Sequence, residues 1–157
     1  MVAALAEVPH LRPMRPQDLD EVMAIELASY PFPWSRGIFE DCLRCGYHAW
    51  VAERAGCIGG YGLLSIGAGE AHVLNLCVAP QARRLGLGRL LLQRLLDDAR
   101  QARAERVFLE VRPSNAEAVA LYHATGFHLI ARRPNYYPAR NGREDALVMA
   151  MELLPPE

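Results

Sequence analysis

A glycine-containing turn joins a short strand to a long amphipathic helix between His72 and Ala104. Alternate residues from His72 to Val78 share one face, which predicts a strand, and Pro80 ends it. From Leu87 onward, apolar residues recur at helical spacing and predict a helix that runs to Ala104. Its apolar stripe contains Leu87, Leu91, Leu92, Leu95, Leu96 and Ala99. Any fold of this chain must place that stripe against a buried surface.

Further strands and helices lie on either side of this unit. Strands are predicted at 10–14, 49–53, 58–66, 72–78, 107–111, 127–131 and 146–153, and helices begin at Pro16, Ser35, Leu87 and Ser114. Ser114 and Glu117 have the spacing of a capping box, and Gly126 ends the helix they open. The order β-α-α-β-β-β-α-β-α-β-β predicts an α/β protein. Its mixed sheet should have about seven strands, with helices on both faces.

The length of 157 residues suits one domain with one core. We expect a single domain over residues 10–153, a flexible N-terminus at 1–9 and a short tail at 154–157. No apolar run approaches the ~20 residues of a membrane span, and the N-terminus lacks the basic segment of a secretory signal. A cytoplasmic location is therefore expected. The 17 basic residues balance 18 acidic ones, so the basic excess of a nucleic-acid-binding protein is missing.

Cys42 and Cys45 form a C-x-x-C pair, a spacing found in redox and zinc sites. A zinc site would need a second pair of ligands at suitable spacing, and none follows. We interpret the two cysteines as small apolar residues on the buried side of a helix, and we predict no metal.

The turn before the long helix has the features of an anion site. Gly86 and Gly88 allow a ligand to approach the backbone closely, where the first N–H groups of the helix have no intrahelical partner. Arg84 and Arg89 add positive charge. An ATP-binding G-x-x-x-x-G-K-[ST] loop is excluded because the chain has no Lys, and Leu91 does not fit the third small position of a dinucleotide motif. A helix start without a ligand stays the alternative.

The turn resembles motif A of the GNAT acetyltransferase superfamily, [RQ]-x-x-G-x-[GA], through Arg83, Gly86 and Gly88. The resemblance implies acetyl-CoA as co-substrate, with its pyrophosphate held by the turn. The preceding strand would offer backbone groups to the thioester and the pantetheine arm. The residues implied in cofactor binding are Leu76, Cys77, Val78, Arg83, Arg84, Leu85, Gly86, Leu87, Gly88 and Arg89, together with Asn115.

Glu110 and Tyr122 are the candidate catalytic residues. A carboxylate can take the proton that an attacking amine loses, and a phenol can give one to a leaving thiolate. From the residues alone, a surface ion pair for Glu110 and a core position for Tyr122 are the more frequent alternatives. The stretch from Leu109 to Phe127 is similar to the ribosomal-protein-alanine N-acetyltransferases within the GNAT superfamily. That similarity implies Glu110 as general base and Tyr122 as general acid.

The same similarity includes two aromatic segments, which it implies border a peptide groove. Phe32 and Trp34 lie between the first two helices, and Tyr136 and Tyr137 are expected in a loop between the last two strands. Aromatic packing over the core is the alternative for Phe32 and Trp34. The implied acceptor is the N-terminal alanine of small-subunit ribosomal protein eighteen, with no nucleic-acid or membrane partner. A lysine side chain, a small amine, or a non-catalytic acetyl-CoA-binding module are the alternatives.

Overall fold

The computed structural model describes residues 8–153, and within them the predicted order of elements is confirmed. The seven strands form a mixed sheet in the order β1-β2-β3-β4-β5-β7-β6. The strands are β1 (His10–Pro13), β2 (His48–Arg54), β3 (Cys57–Gly67), β4 (Glu70–Val78), β5 (Arg106–Val111), β6 (His128–Ala139) and β7 (Gly142–Glu152). The helices are α1 (Leu19–Ser29), α2 (Arg36–Arg44), α3 (Leu87–Gln101) and α4 (Ala116–Thr125).

Several predicted boundaries were wrong. The predicted loop around Tyr136 and Tyr137 is part of β6, a strand of 12 residues. This strand contains two prolines, which are tolerated because β6 is an edge strand. A positive φ of 53° at Asn135 and a register shift between Arg133 and Tyr137 absorb the irregularity.

Two local assignments also differ. The cap of α4 is Asn115, not Ser114, because the Asn115 side chain accepts a hydrogen bond from the Ala118 amide at 3.3 Å. Of the two cysteines in the C-x-x-C pair, only Cys42 is buried. Cys45 is exposed and caps α2, whose last residue is Arg44.

The chain divides into two compact units. One contains the residues up to Ser65 together with Leu74–Leu95, and the other contains Ile66–Val73 together with the chain from Leu96. Of the predicted chain ends at 1–9 and 154–157, residues 1–7 and 154–157 lie outside the described residues.

The first unit is organised by the contact between α3 and a glycine-rich part of β3. A Cβ atom on Gly59 would lie 2.8 Å from Leu87 Cδ1, and one on Gly60 would lie 3.1 Å from Leu91 Cδ1. At Gly62 a Cβ atom would lie 3.1 Å from Leu95 Cδ1. The leucine stripe therefore packs where side chains on β3 are missing. As predicted, the whole stripe is buried.

A buried carboxyl group joins four segments of the first unit. Glu26 in α1 is 1% exposed and accepts hydrogen bonds from the Tyr61 hydroxyl at 2.5 Å, the Trp34 amide at 2.8 Å and Asn75 Nδ2 at 3.1 Å. Burial is the largest cause that raises the pKa of Tyr61, so its hydroxyl keeps the proton it donates. These bonds attach α1 to β3, to β4 and to the segment between α1 and α2.

The second unit contains the pairing of β4 with β5 and of β5 with β7. β4 runs parallel to β5, with His72 opposite Phe108, and β7 runs antiparallel to β5, with Val148 opposite Glu110. The alternation of strand side chains buries one face of β5 and leaves Glu110 on the other. The buried residues of β5 and β7 are Val107, Leu109, Val111, Ala146, Met149 and Ala150.

We predict that Gly60→Ala destabilises the protein by about 1–3 kcal/mol, the usual effect of overpacking. The added Cβ would lie 2.8 Å from the Cys77 carbonyl oxygen, a backbone atom that cannot swing aside. Gly67→Ala in the same strand is the matched control, because nothing lies within 4 Å of its Cβ position. Urea unfolding measures both free energies. Equal values for the two variants would contradict the close approach of β4 to Gly60.

Candidate active site

The turn between β4 and α3 has a backbone shape suited to an anion. Arg84 and Gly86 have positive φ values of 67° and 80°. Two left-handed residues so close together curve the backbone sharply, and a curved turn can direct successive N–H groups at an anion. The first intrahelical bond reaches from the Leu90 amide to the Gly86 carbonyl at 3.1 Å, so the amides of the preceding helical residues have no acceptor within the helix.

Some side chains of this turn are exposed to solvent, and one is buried in the core. Arg83, Arg84, Leu85 and Arg89 are exposed, whereas Leu87 is buried against β3. Arg83 Nε donates to the Val78 carbonyl at 3.4 Å. The arginines therefore lie at the rim of the turn, and Leu87 holds the start of α3 against the strand.

The last residues of β4 combine a buried thiol with carbonyl groups that already accept hydrogen bonds. Cys77 is 4% exposed and belongs to the core of the first unit. The Leu76 carbonyl accepts a hydrogen bond from the Tyr30 hydroxyl at 3.2 Å. Tyr30 begins the aromatic segment between α1 and α2, so this segment is tied to β4.

The two predicted substrate residues of that segment differ in environment. Trp34 packs against Phe39 with a ring distance of 5.1 Å, and its amide donates to Glu26. Phe32 is 43% exposed. Trp34 is therefore a core contact that also anchors the segment, and Phe32 is the residue that can meet a ligand.

In the second unit, Glu110 contacts two basic side chains. Its Oε1 lies 2.7 Å from His72 Nε2, and its Oε2 lies 3.4 Å from Arg133 Nη1. The hydrogen bond from His72 is the main reason why the pKa of Glu110 lies below its ordinary value; burial acts in the opposite direction, and the charge of Arg133 lowers it further. Glu110 is therefore an ionised, largely buried carboxylate at neutral pH.

Tyr136 and Tyr137 belong to the same cluster as Glu110. Their rings meet edge to face at 4.9 Å, and the guanidinium of Arg133 lies 4.4 Å above the Tyr136 ring. Arg112 lies 4.4 Å above Tyr137. Burial, with a further contribution from the charge of Glu110, raises the pKa of Tyr137 to about 12. The structure thus brings Glu110 together with the distant tyrosine pair, and all three residues were candidates from the sequence.

The other predicted residues of this unit, Tyr122 and Asn115, belong to α4. Tyr122 is 6% exposed, and its ring contacts Phe127 at 5.7 Å. Asn115 caps the helix, while the amide and hydroxyl of Ser114 donate to Glu144 at 2.9 and 3.0 Å. Glu144 also holds Arg112 at 3.1 Å. The start of α4 is therefore fastened to the arginine that stacks on Tyr137.

Comparison with known proteins identifies the fold family. The model of the acetyltransferase (GNAT) family matches residues 19–127. The chain belongs to the GNAT acetyltransferase family. GNAT acetyltransferases use acetyl-CoA, and one structure with the same fold, yncA from Salmonella typhimurium, is described with that cofactor. It has a TM-score of 0.79 at 23% identity, and the alignment covers 94% of this chain and 95% of that one.

Two comparisons lead to one kind of GNAT enzyme. The chain is 37% identical over 136 residues to the ribosomal protein bS18-alanine N-acetyltransferase of Escherichia coli strain K12, covering 87% of this chain and 92% of the relative. The crystal structure of the ribosomal-protein-S18-alanine N-acetyltransferase from Escherichia coli superposes with a TM-score of 0.88 at 33% identity. The superposition covers 96% of this chain and 97% of the Escherichia coli chain.

His72 and Arg133 contact Glu110, and neither contact was predicted from the sequence. His72 was assigned only to a strand face, and its partner depends on the register between β4 and β5, which no local pattern reveals. Among residues 8–153, no group of three or more His, Cys, Asp or Glu side chains is placed to hold a metal ion. Nor does any helix in that range have the length and apolar character needed to cross a membrane.

Proposed function

We propose that the protein transfers acetyl from acetyl-CoA to the α-amine of an N-terminal alanine, with ribosomal protein bS18 as its acceptor. The observation that carries the proposal is the 37% identity to the Escherichia coli enzyme over 87% of the chain. The ionised Glu110 beside two tyrosines supports it, because proton removal from an amine needs a base near an acceptor surface.

The turn after β4 fits the pyrophosphate of acetyl-CoA. No atom lies within 4 Å of the Cβ position at Gly86, so a ligand can reach the backbone there. The amides at the start of α3 supply donors, and Arg84 and Arg89 supply charge at the rim. The backbone of β4 at Leu76–Val78 would hold the pantetheine arm, and Asn115 would contact CoA beyond its role as a helix cap.

The reaction is a direct transfer. The neutral amine attacks the thioester carbonyl, the C–N bond forms and the C–S bond breaks. Glu110 takes the proton that the nitrogen loses, directly or through water, and Tyr122 gives a proton to the departing sulfur. A carboxylate with a lowered pKa is a modest base. It suffices because an α-amine has a pKa of about 8, so a useful fraction is already neutral at physiological pH.

Phe32, Trp34, Tyr136 and Tyr137 are the proposed acceptor-binding residues. Phe32 would contact the peptide directly, and Trp34 would hold the segment in place. The tyrosine pair is fixed by stacked arginines, which gives it a defined geometry next to the base. A ribosomal protein as acceptor implies a cytoplasmic enzyme. The continuous family match over residues 19–127 includes parts of both compact units and supports one catalytic domain over 10–153.

An acceptor assay tests the function. We expect acetyl-CoA to modify a peptide with a free N-terminal alanine and to leave unmodified a peptide with a blocked N-terminus and an internal lysine. Mass spectrometry measures acetylation of both peptides. Spermidine is tested in parallel as a representative small amine. The chain has no Lys, so self-acetylation is confined to its own N-terminus and adds no lysine background. Product on lysine or spermidine alone would identify a different acceptor, and acetyl-CoA binding without product would indicate a non-catalytic module.

We predict that Gly86→Ala weakens CoA binding about tenfold, equivalent to about 1.4 kcal/mol. Alanine is strained at a φ of 80°, and its methyl group would occupy the space through which the ligand reaches the backbone. Calorimetry measures the dissociation constant. Gly46→Ala is the matched control, because Gly46 has a φ of 76°, also has no neighbour within 4 Å and lies in the turn before β2. Equal affinities for both variants would show that the turn does not hold CoA.

We predict that Tyr122→Phe lowers turnover roughly a hundredfold, the lower range for loss of a general acid. Phenylalanine keeps the ring contact with Phe127, so the affinity for acetyl-CoA should stay unchanged. Steady-state kinetics with the free-alanine peptide measures turnover, and Tyr47→Phe at an exposed position is the control. Wild-type turnover in Tyr122→Phe would assign protonation of the sulfur to another group.

A further inference from the structure

His72 holds Glu110 from the neighbouring strand. The two side chains belong to paired parallel strands, with His72 opposite Phe108, two residues before Glu110. His72 Nε2 lies 2.7 Å from Glu110 Oε1, which is a short hydrogen bond between strongly interacting groups. Because both residues lie in strands of one sheet, backbone pairing fixes the distance between their Cα atoms. The contact is therefore set mainly by the backbone and not by the conformations of two long, flexible side chains.

The other basic partner of Glu110 is less restricted. Arg133 Nη1 lies 3.4 Å from Oε2, its side chain is 53% exposed, and its guanidinium also stacks on Tyr136. Exposed ion pairs of this kind contribute little to the position of a carboxylate. Glu110 itself is only 17% exposed and His72 is 39% exposed, so the histidine is the better fixed of the two partners.

The hydrogen-bond pattern gives the two carboxylate oxygens different tasks. Beside an ionised carboxylate, the histidine nitrogen must carry the proton, so Nε2–H donates to Oε1. Oε1 accepts this short bond, whereas Oε2 accepts only the longer, 3.4 Å bond from the exposed Arg133, so Oε2 is the oxygen more available to take another proton. The groups that face Glu110 are His72 from β4 and Arg133 and Tyr137 from β6, whereas its partner on β7 is the apolar Val148.

We propose that His72 is a positioning residue for acetyl transfer, which holds Glu110 by Oε1 and presents Oε2 to the proton that the amine loses. This inference rests on the proposed function. The amine proton moves to Oε2, directly or through one water, as the N–C bond forms, and it then leaves to solvent. His72 exchanges no proton with the substrate. Its role is to orient the base and to keep it ionised.

Two variants at one position separate hydrogen bonding from bulk. His72→Leu removes the donor, and His72→Gln keeps an N–H that can reach Oε1. The measurement is kcat/KM for the free-alanine peptide between pH 4.5 and 8.5, roughly spanning the ordinary pKa values of a carboxyl and an α-amine. The KM for acetyl-CoA and the unfolding midpoint are recorded in parallel. His10→Leu, at an exposed position at the start of β1, controls for the loss of a histidine elsewhere.

The expected pH dependence follows from the sign of the pKa change. As the pH is lowered, kcat/KM falls because the amine becomes protonated. It falls more steeply once Glu110 is protonated as well. Loss of the His72 hydrogen bond removes the main cause of the lowered pKa, so the steeper region should begin at a higher pH in His72→Leu than in wild type. Turnover at pH 7.5 should fall about tenfold, since misorientation of a base weakens proton transfer. His72→Gln should restore most of the wild-type pH profile and most of the turnover at pH 7.5. The KM for acetyl-CoA should not change in either variant.

Each result decides one question. A wild-type profile and turnover in a folded His72→Leu variant would overturn the inference and leave the proposed function intact. The same holds if His72→Gln behaves like His72→Leu while both unfold at the wild-type midpoint. If His72→Leu fails to fold, His72→Gln is compared with Glu110→Gln instead. A loss of kcat/KM in His72→Gln as large as the loss in Glu110→Gln would contradict the inference. Wild-type protein that transfers no acetyl to any amine would contradict the proposed function itself.

Discussion

The close approach of α3 to the glycines of β3 sets the position of the turn that we propose to hold acetyl-CoA. Leu87 is the first residue of α3 and packs where Gly59 has no side chain; a Cβ atom there would lie 2.8 Å from Leu87 Cδ1 and would force that side chain to move. Protein interiors pack at nearly crystalline density, so a close contact of this kind restricts where the helix can lie against the strand. The buried Leu87 thus fixes the start of α3 directly after the Gly86 turn.

Local patterns in the sequence were sufficient to predict the order of helices and strands and the position of the turn between β4 and α3. The leucine stripe predicted α3 and its buried face, because every fourth residue of a helix returns to the same side. Gly86 and Gly88 predicted an anion site, because glycine lets a ligand approach the unpaired amides at a helix start. The left-handed conformation of Arg84 could not be predicted, because a non-glycine residue adopts it only when its surroundings require it.

Non-local geometry accounts for what the sequence analysis missed. The contact of His72 with Glu110 follows from strand register, and register is decided by the whole sheet. Tyr136 and Tyr137 were expected in a loop, but they belong to β6, whose edge position allows the nearby prolines within a strand. The cap of α4 was assigned to Ser114 by its spacing, whereas the structure uses Ser114 to bind Glu144 and leaves Asn115 to cap the helix. Each error concerns a residue whose partner is distant in the chain.

The hydrogen bonds of Glu26 have a thermodynamic consequence for binding. A flexible loop must be ordered when a ligand arrives, and each immobilised side chain then lowers the affinity. The segment that carries Phe32 is already fixed at both ends, by the Trp34 amide on Glu26 and by the Tyr30 hydroxyl on β4. A peptide that meets Phe32 would therefore lose little affinity to ordering of the protein. Most of the entropy lost on association would be that of the peptide itself.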